Sequence, residues 1–196
     1  MSEASRQIFS LAEFLIWEAE QDRRFELVGG EAVMMAGGTQ AHALIAANIV
    51  SALRSRLRGS PCRPSGSDMR VPIPATGNSR YPDVTVDCGA YDPTSNDASK
   101  PTVVLEVLSD STGWYDQTRK LQDYDGVPSI RQYVCVSQSE RRVLVWRRDG
   151  SERLVPDVVI LDGTLDLDLG VVRTDLPLAD IYEETGLPET VSVATS

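Results

Sequence analysis

Asp83, Glu106, Lys120 and Tyr124 are the residues of this chain whose types and spacing best suit chemistry. Asp83 follows Pro82 at the start of an apolar run, Tyr81–Val86. Pro82 fixes its own φ and drives Tyr81 towards extended backbone, so the carboxylate enters its strand at a set angle. Glu106 is the one acid in a second apolar run, Thr102–Leu108. Strand alternation puts Val104, Glu106 and Leu108 on one face and Val103, Leu105 and Val107 on the other. A strand apolar on both faces is covered on both sides, so the Glu106 charge needs a cation, an arginine or a raised pKa to compensate its burial. Two carboxylates on neighbouring strands can hold a divalent metal through oxygen.

The basic partner is a lysine in a chain that otherwise uses arginine. Lys100 and Lys120 are the only lysines among nineteen basic residues. Lys120 stands four residues after Asp116 and four before Tyr124, so on a helix the three share one face. A lysine can change protonation state where an arginine cannot. The same spacing also suits a plain salt bridge to Asp116.

The ordered set of motifs resembles a known family. Phe25-Glu26-Leu27-Val28-Gly29-Gly30-Glu31, His42 at the head of a helix, Pro82-Asp83-Val84, Glu106-Val107-Leu108-Ser109-Asp110-Ser111-Thr112, and Asp116-x3-Lys120-x3-Tyr124 followed by Gly126-Val127 are similar to the Uma-two family. These are restriction-endonuclease-like proteins of the PD-(D/E)XK nuclease superfamily, and the resemblance runs from about Leu11 to Trp146. It implies an α/β restriction-endonuclease-like fold, a mixed curved central sheet flanked by helices, here with an extra C-terminal β-hairpin region. It also implies Mg²⁺-dependent hydrolysis of phosphodiester bonds in DNA, with Mn²⁺ as a substitute ion. Asp83, Glu106 and the backbone carbonyl of Val107 would hold the metal, and Lys120 would orient or deprotonate the attacking water. Glu26, His42 and Tyr124 would be auxiliary. The lysine that the general nuclease pattern places two residues after the strand acid is Leu108 here, and the resemblance implies that Lys120 replaces it. Two other functions fit the same residues: a non-catalytic nuclease-like binding module, and a metal-dependent hydrolase of small phosphate compounds.

Composition bounds these readings. A chain of 196 residues, 41% hydrophobic, suits one domain with a sizeable core, expected over residues 1–186 with a flexible tail over 187–196. No apolar run approaches the roughly 20 residues of a membrane span, and the N-terminus lacks a signal-peptide pattern. Cys62, Cys88 and Cys135 show no metal-site spacing and read as reduced thiols of a cytoplasmic protein. The net charge of −10 opposes nucleic-acid binding. Its distribution does not: Arg54, Arg56, Arg58, Arg63, Arg70 and Arg80 face only Asp68 between Ala41 and Tyr81. Arg54, Arg58 and Arg80 are therefore the candidate DNA contacts, and the same charge pattern suits a solvated helix face. A homodimer is expected.

The positioning elements follow from local signals. Ser10 with Glu13 forms a capping box, and Phe9 can staple to Phe14, giving a helix over about Leu11–Glu20. Gly29-Gly30 joins two strands, Arg24–Val28 and Glu31–Ala36. Ile45, Ile49, Ala52 and Leu53 give a helical stripe over Thr39–Leu57, with His42, the only histidine, on its inward face. Cys62–Pro74 is broken by prolines and reads as one or two irregular strands with a core at Asp68–Val71, and Ala75–Ser79 reads as a loop. Arg131–Ser137 and Arg142–Arg147 form a hairpin. Strands recur at Leu154–Leu161 and Leu165–Val172, before a short helix at Leu178–Glu184. No Ser-His-Asp signature or nucleotide-binding glycine loop is present.

Overall fold

The computed structural model describes residues 8–109, 114–150 and 152–189, and the side chains of 114–116 lie outside that description. In chain order the elements are α1 (Leu11–Glu18), β1 (Phe25–Val28), β2 (Glu31–Met34), α2 (Gln40–Arg56), β3 (Arg63–Gly66), β4 (Val71–Ile73), β5 (Asn78–Arg80), β6 (Val84–Asp87), β7 (Pro101–Leu108) and α3 (Trp114–Asp125). They continue as β8 (Gln132–Ser137), β9 (Val143–Arg148), β10 (Leu154–Ile160), β11 (Thr164–Asp168), β12 (Arg173–Pro177) and α4 (Leu178–Ile181).

A six-stranded mixed sheet in the order β10-β9-β8-β7-β6-β3 carries the core. Its one parallel pair is β7–β8, and α3 lies between those two strands in the chain, as a parallel crossover requires. The faces of β7 separate as the alternation predicts. Val103, Leu105 and Val107 pack with Ile45, Ile49 and Leu53 of α2, and Val104 packs with Tyr124, Tyr133 and Trp146 on the other side. Burying both faces leaves Glu106 no route to solvent along the strand.

A second, four-stranded sheet, β2-β1-β5-β4, flanks the first. Gly29 and Gly30 take φ of 59° and 85°, the pair of positive values that a type I′ hairpin needs. Capping fixes α1: Ser10 and Glu13 form both bonds of the capping box, and the Phe9 and Phe14 rings meet edge-on at 6.2 Å. Thr39 caps α2 by accepting the His42 amide. The C-terminal hairpin is β11–β12.

Several local expectations fail for one reason, that pairing partners distant in sequence decide strand formation. Cys62–Pro74 supplies two short strands, β3 and β4, but of the core expected at Asp68–Val71 only Val71 lies in a strand, the rest connecting the two. Asn78–Arg80, read as the end of a loop, becomes β5 because it fills the gap between β1 and β4. Leu165–Val172 stops at Asp168, Gly170 turns with φ of 78°, and β12 returns alongside. The Leu178 helix is one turn, ending at Ile181. Cys62 and Cys88 were expected as free thiols, but the structure joins them in a disulfide. The antiparallel register that opposes Arg63 to Asp87 brings the two flanking cysteines together at the end of β3–β6, a proximity that spacing in the sequence does not reveal. Cys135 remains free and buried, and burial pushes its thiol up to about 12. Leu187 packs partly against the core, and residues 190–196 lie outside the described residues.

Candidate active site and metal centre

The antiparallel β6–β7 ladder opposes Val84 to Leu105, which places Asp83 and Glu106 beside one another at the strand ends. Asp83 stands one residue before β6, and its Oδ2 accepts the Val107 amide at 2.7 Å. The aspartate is thus tied to the residue that follows Glu106. His42, in the first turn of α2, brings Nε2 to 3.1 Å from the same oxygen. That hydrogen bond is the main cause of a raised His42 pKa, so the imidazolium is the favoured partner. Gly38 makes room for the ring: a Cβ there would stand 2.7 Å from Nδ1.

Glu106 has both oxygens occupied. Lys120 Nζ donates to Oε2 at 2.9 Å and the Tyr124 hydroxyl to Oε1 at 2.6 Å. Lys120 and Tyr124 are one helical turn apart on α3, so one helix face delivers both donors. Burial pushes the Glu106 carboxyl up to about 7, opposed by Lys120 and reinforced by the negative charges of Asp83 and Glu26. Burial likewise pushes the Tyr124 hydroxyl well up. Asp116, the other candidate partner for Lys120, lies outside the residues whose side chains are described.

Glu26 lines the same cleft, which has a volume of about 430 Å³ and is also lined by His42, Asp83, Glu106, Lys120 and Gln138. Its carboxylate is committed elsewhere: it accepts Arg80 Nη1 at 2.8 Å and the Tyr81 amide at 3.1 Å. Arg80 reaches the other way to Asp123, with Nε at 2.8 Å and Nη2 at 2.7 Å from Oδ2. Thr76 and Asn78 complete Asp123 through its second oxygen. One guanidinium therefore fastens the approach to Asp83 onto α3, which carries Lys120 and Tyr124. A further brace comes from α1, where Glu18 accepts the Tyr81 hydroxyl at 2.7 Å and Arg70 at 2.5 Å.

Arg80 corrects a sequence expectation. It was a candidate DNA contact, but only 2% of it is exposed, and two carboxylates consume its forks. The miss has a source: reading Ala75–Ser79 as a loop leaves Arg80 on an imagined surface, and Asp123, beside Tyr124, was the available sign that α3 needed a buried cation. Arg70 is buried in the same manner, between Glu18 and Asp97. Arg54 stands at the other end of α2 from His42, about 18 Å along the helix, and Arg58 lies just beyond that end. The sequence-predicted residues Glu26, His42, Asp83, Glu106, Lys120 and Tyr124 thus come together with the Val107 backbone, whereas Arg54, Arg58 and Arg80 do not join them.

Removing one partner of a buried charge network leaves the others uncompensated. Arg80→Met is therefore expected to cost about 3–5 kcal/mol in urea unfolding. A loss below about 1 kcal/mol would mean that Glu26 and Asp123 find other partners, against the bracing role given to Arg80.

The donor set fits a hard divalent cation. Asp83 and Glu106 supply carboxylate oxygens at the cleft: each Glu106 oxygen keeps a lone pair beyond its one hydrogen bond, whereas Asp83 Oδ2 already meets the Val107 amide and His42, so the aspartate would offer an ion its other oxygen. Glu106 rises to about 7 chiefly because it is buried, with smaller contributions from Asp83 and Glu26, and a cation beside it would favour the ionised carboxylate. Among the described residues no three His, Cys, Asp or Glu side chains form a metal-binding group. Remaining ligands would be the Val107 carbonyl and waters, an arrangement suited to Mg²⁺, which keeps much of its hydration.

Comparison with known proteins gives the family and the fold. A family model described as "Uma2: Putative restriction endonuclease" matches residues 11–178. The chain belongs to the Uma2 family. Two uncharacterised Synechocystis proteins are similar: slr1290, 31% identical over 70% of this chain and 73% of its own length, and sll1609, 28% identical over 76% and 86%. A crystal structure from Anabaena variabilis, described as "a putative nuclease belonging to DUF820", superposes with a TM-score of 0.70 at 18% identity, covering 89% of this chain and 97% of that one. This Uma2 chain accordingly has the restriction-endonuclease-like fold. Among the described residues no helix is long and apolar enough to cross a membrane.

Proposed function

We propose that this Uma2 protein is a Mg²⁺-dependent nuclease that hydrolyses phosphodiester bonds in DNA, with Mn²⁺ able to replace Mg²⁺. One observation carries the reading: two carboxylates and a lysine amine from three separate elements converge in one cleft, Asp83 through the Val107 amide and Glu106 through Lys120 and Tyr124. Asp83, Glu106 and the Val107 carbonyl would hold the ion. Bound there, it would neutralise charge on the phosphate and lower the pKa of water.

The protein's own groups do the rest. Tyr124 fixes the rotamer of Glu106 from the buried side, leaving Lys120 as the partner nearer the cleft. The Lys120 ammonium is placed to donate to a phosphate oxygen as charge develops, or to orient a water. His42 holds Asp83 and carries a proton at Nε2 in its charged form. Arg80 and Glu26 keep these elements in register without meeting the substrate.

The purified full chain should be assayed with Mg²⁺ and Mn²⁺ on plasmid and linear DNA, and on bis(p-nitrophenyl) phosphate. Cleavage of DNA is the expected result. Hydrolysis of the small diester alone would instead support a hydrolase of small phosphate compounds, a reading favoured by the burial of Arg80 and the distance of Arg54 and Arg58 from the cleft. No hydrolysis of either substrate, with DNA still bound, would leave a non-catalytic binding module.

A further inference from the structure

Away from the cleft, three arginines share a concavity that contains no acid. It measures about 390 Å³ and is lined by Arg54 near the end of α2, Arg63 at the start of β3, and the connecting loop through Arg58, Gly59, Ser60 and Cys62. The chain has 29 acidic residues against 19 basic ones, and many of its arginines, Arg24, Arg56, Arg70 and Arg80 among them, meet a carboxylate. Arg54 and Arg58 have no carboxylate partner among the described residues. Arg63 donates to the carbonyls of Pro61 and Gly89, which orient a guanidinium without neutralising it. Three uncompensated forks around one hollow repel one another unless an anion enters, and the planar fork matches phosphate oxygens.

Beside this hollow stands an unusual aromatic. Tyr91 is 72% exposed, and the Arg63 guanidinium lies over its ring at 5.4 Å from the centroid. Arg63 thereby links the anion hollow to an open aromatic face. Asp92, next in the chain, is turned back on Thr94 through its Oδ1. Cations beside an exposed ring are the pairing that single-stranded nucleic acid uses, phosphate on arginine and base on the ring. Bases stacked inside a duplex cannot reach such a ring.

We propose that Arg54, Arg58, Arg63 and Tyr91 form a second nucleotide site, which takes the phosphate and base of single-stranded nucleic acid. Arg54 lies twelve residues on from His42, about 18 Å along α2, so this site shares no reacting atoms with the cleft. The assignment does not depend on hydrolysis there.

The test is fluorescence anisotropy of a labelled oligo(dT) with the full chain in EDTA, which removes divalent metal from the comparison. Arg54→Gln/Arg58→Gln is expected to weaken binding at least tenfold. It should also reduce the slope of log affinity against log salt by about 1.4, at roughly 0.7 per phosphate contact on a single strand. Tyr91→Ala should weaken binding by about fivefold or more, the usual range for one stacked base, and Tyr91→Phe should restore it. Circular dichroism checks that these exposed substitutions leave the fold intact. Thymidine monophosphate, titrated by calorimetry, separates two sources of the same chemistry: affinity equal to that of the oligomer assigns the site to free nucleotides, and weaker affinity assigns it to the polymer. The proposal is overturned if wild type binds neither probe at low salt, or if the arginine and tyrosine variants bind with unchanged affinity and slope.

Discussion

Lys120→Met is expected to fold, to retain Mn²⁺, and to lose DNA turnover by roughly 10²–10⁴-fold, the range for a positioned proton-transfer group. Its amine is 2.9 Å from Glu106 Oε2, on the opposite oxygen from Tyr124, and in the proposed mechanism it would take the role of the lysine that Leu108 replaces in the strand. Methionine keeps most of the aliphatic stem and helix propensity, so α3 should survive. Lys120→Arg is the sharper variant, because guanidinium keeps the charge but cannot release a proton and fills a different shape. Little rescue by arginine is expected in single-turnover cleavage. Activity at the wild-type level in Lys120→Arg would reduce Lys120 to a fixed charge, and full activity in Lys120→Met would remove it from the mechanism.

Glu106→Gln is expected to abolish the stabilisation that Mn²⁺ gives and to flatten the pH dependence of stability in the metal-free protein. In wild type the folded carboxyl is pushed up to about 7 from its ordinary 4.5. The folded state therefore takes up a proton as pH falls through that window while the unfolded chain does not. Stability of the metal-free protein should rise as pH falls from above 7 towards 4.5, by at most about 3 kcal/mol at 1.36 kcal/mol per pKa unit. His42 adds in the same direction. Its folded pKa is raised by Asp83, so its contribution is complete below about 6.5 and is lost as pH rises through the folded value. Saturating Mn²⁺ should offset the high-pH loss, by about 2.7 kcal/mol at a hundredfold excess over Kd. Glutamine has no carboxylate to titrate or to offer a cation, so only the smaller His42 slope should remain. The checks are urea unfolding between pH 5 and 8 with and without Mn²⁺. An unchanged Mn²⁺ effect in Glu106→Gln would place the metal elsewhere, and an unchanged pH slope would mean that Glu106 is ionised throughout.

The sequence by itself determined the elements whose cause is local. Alternation in Val103–Leu108 foretold a strand covered on both faces with one acid inside it. The capping box set the start of α1, and Gly29-Gly30 set the hairpin. The i,i+4 spacing of Lys120 and Tyr124 was enough to put both on one helix face. The order of Glu26, His42, Asp83, Glu106 and Lys120 was enough to suggest the family. Tertiary structure decided what those residues are bonded to, because such contacts span many tens of residues and leave no periodic trace. Lys120 and Tyr124 both turn to Glu106, Asp83 is tied to the Val107 amide and His42, and Glu26 spends its carboxylate on Arg80. Arg80 itself moved from the surface to the interior because β5 exists only by pairing with β1 and β4. Cys62 and Cys88 met because the β3–β6 register opposed them. Burial, which no single position in a sequence records, turned one arginine into a brace, while Arg54, Arg58 and Arg63 have no carboxylate partner among the described residues.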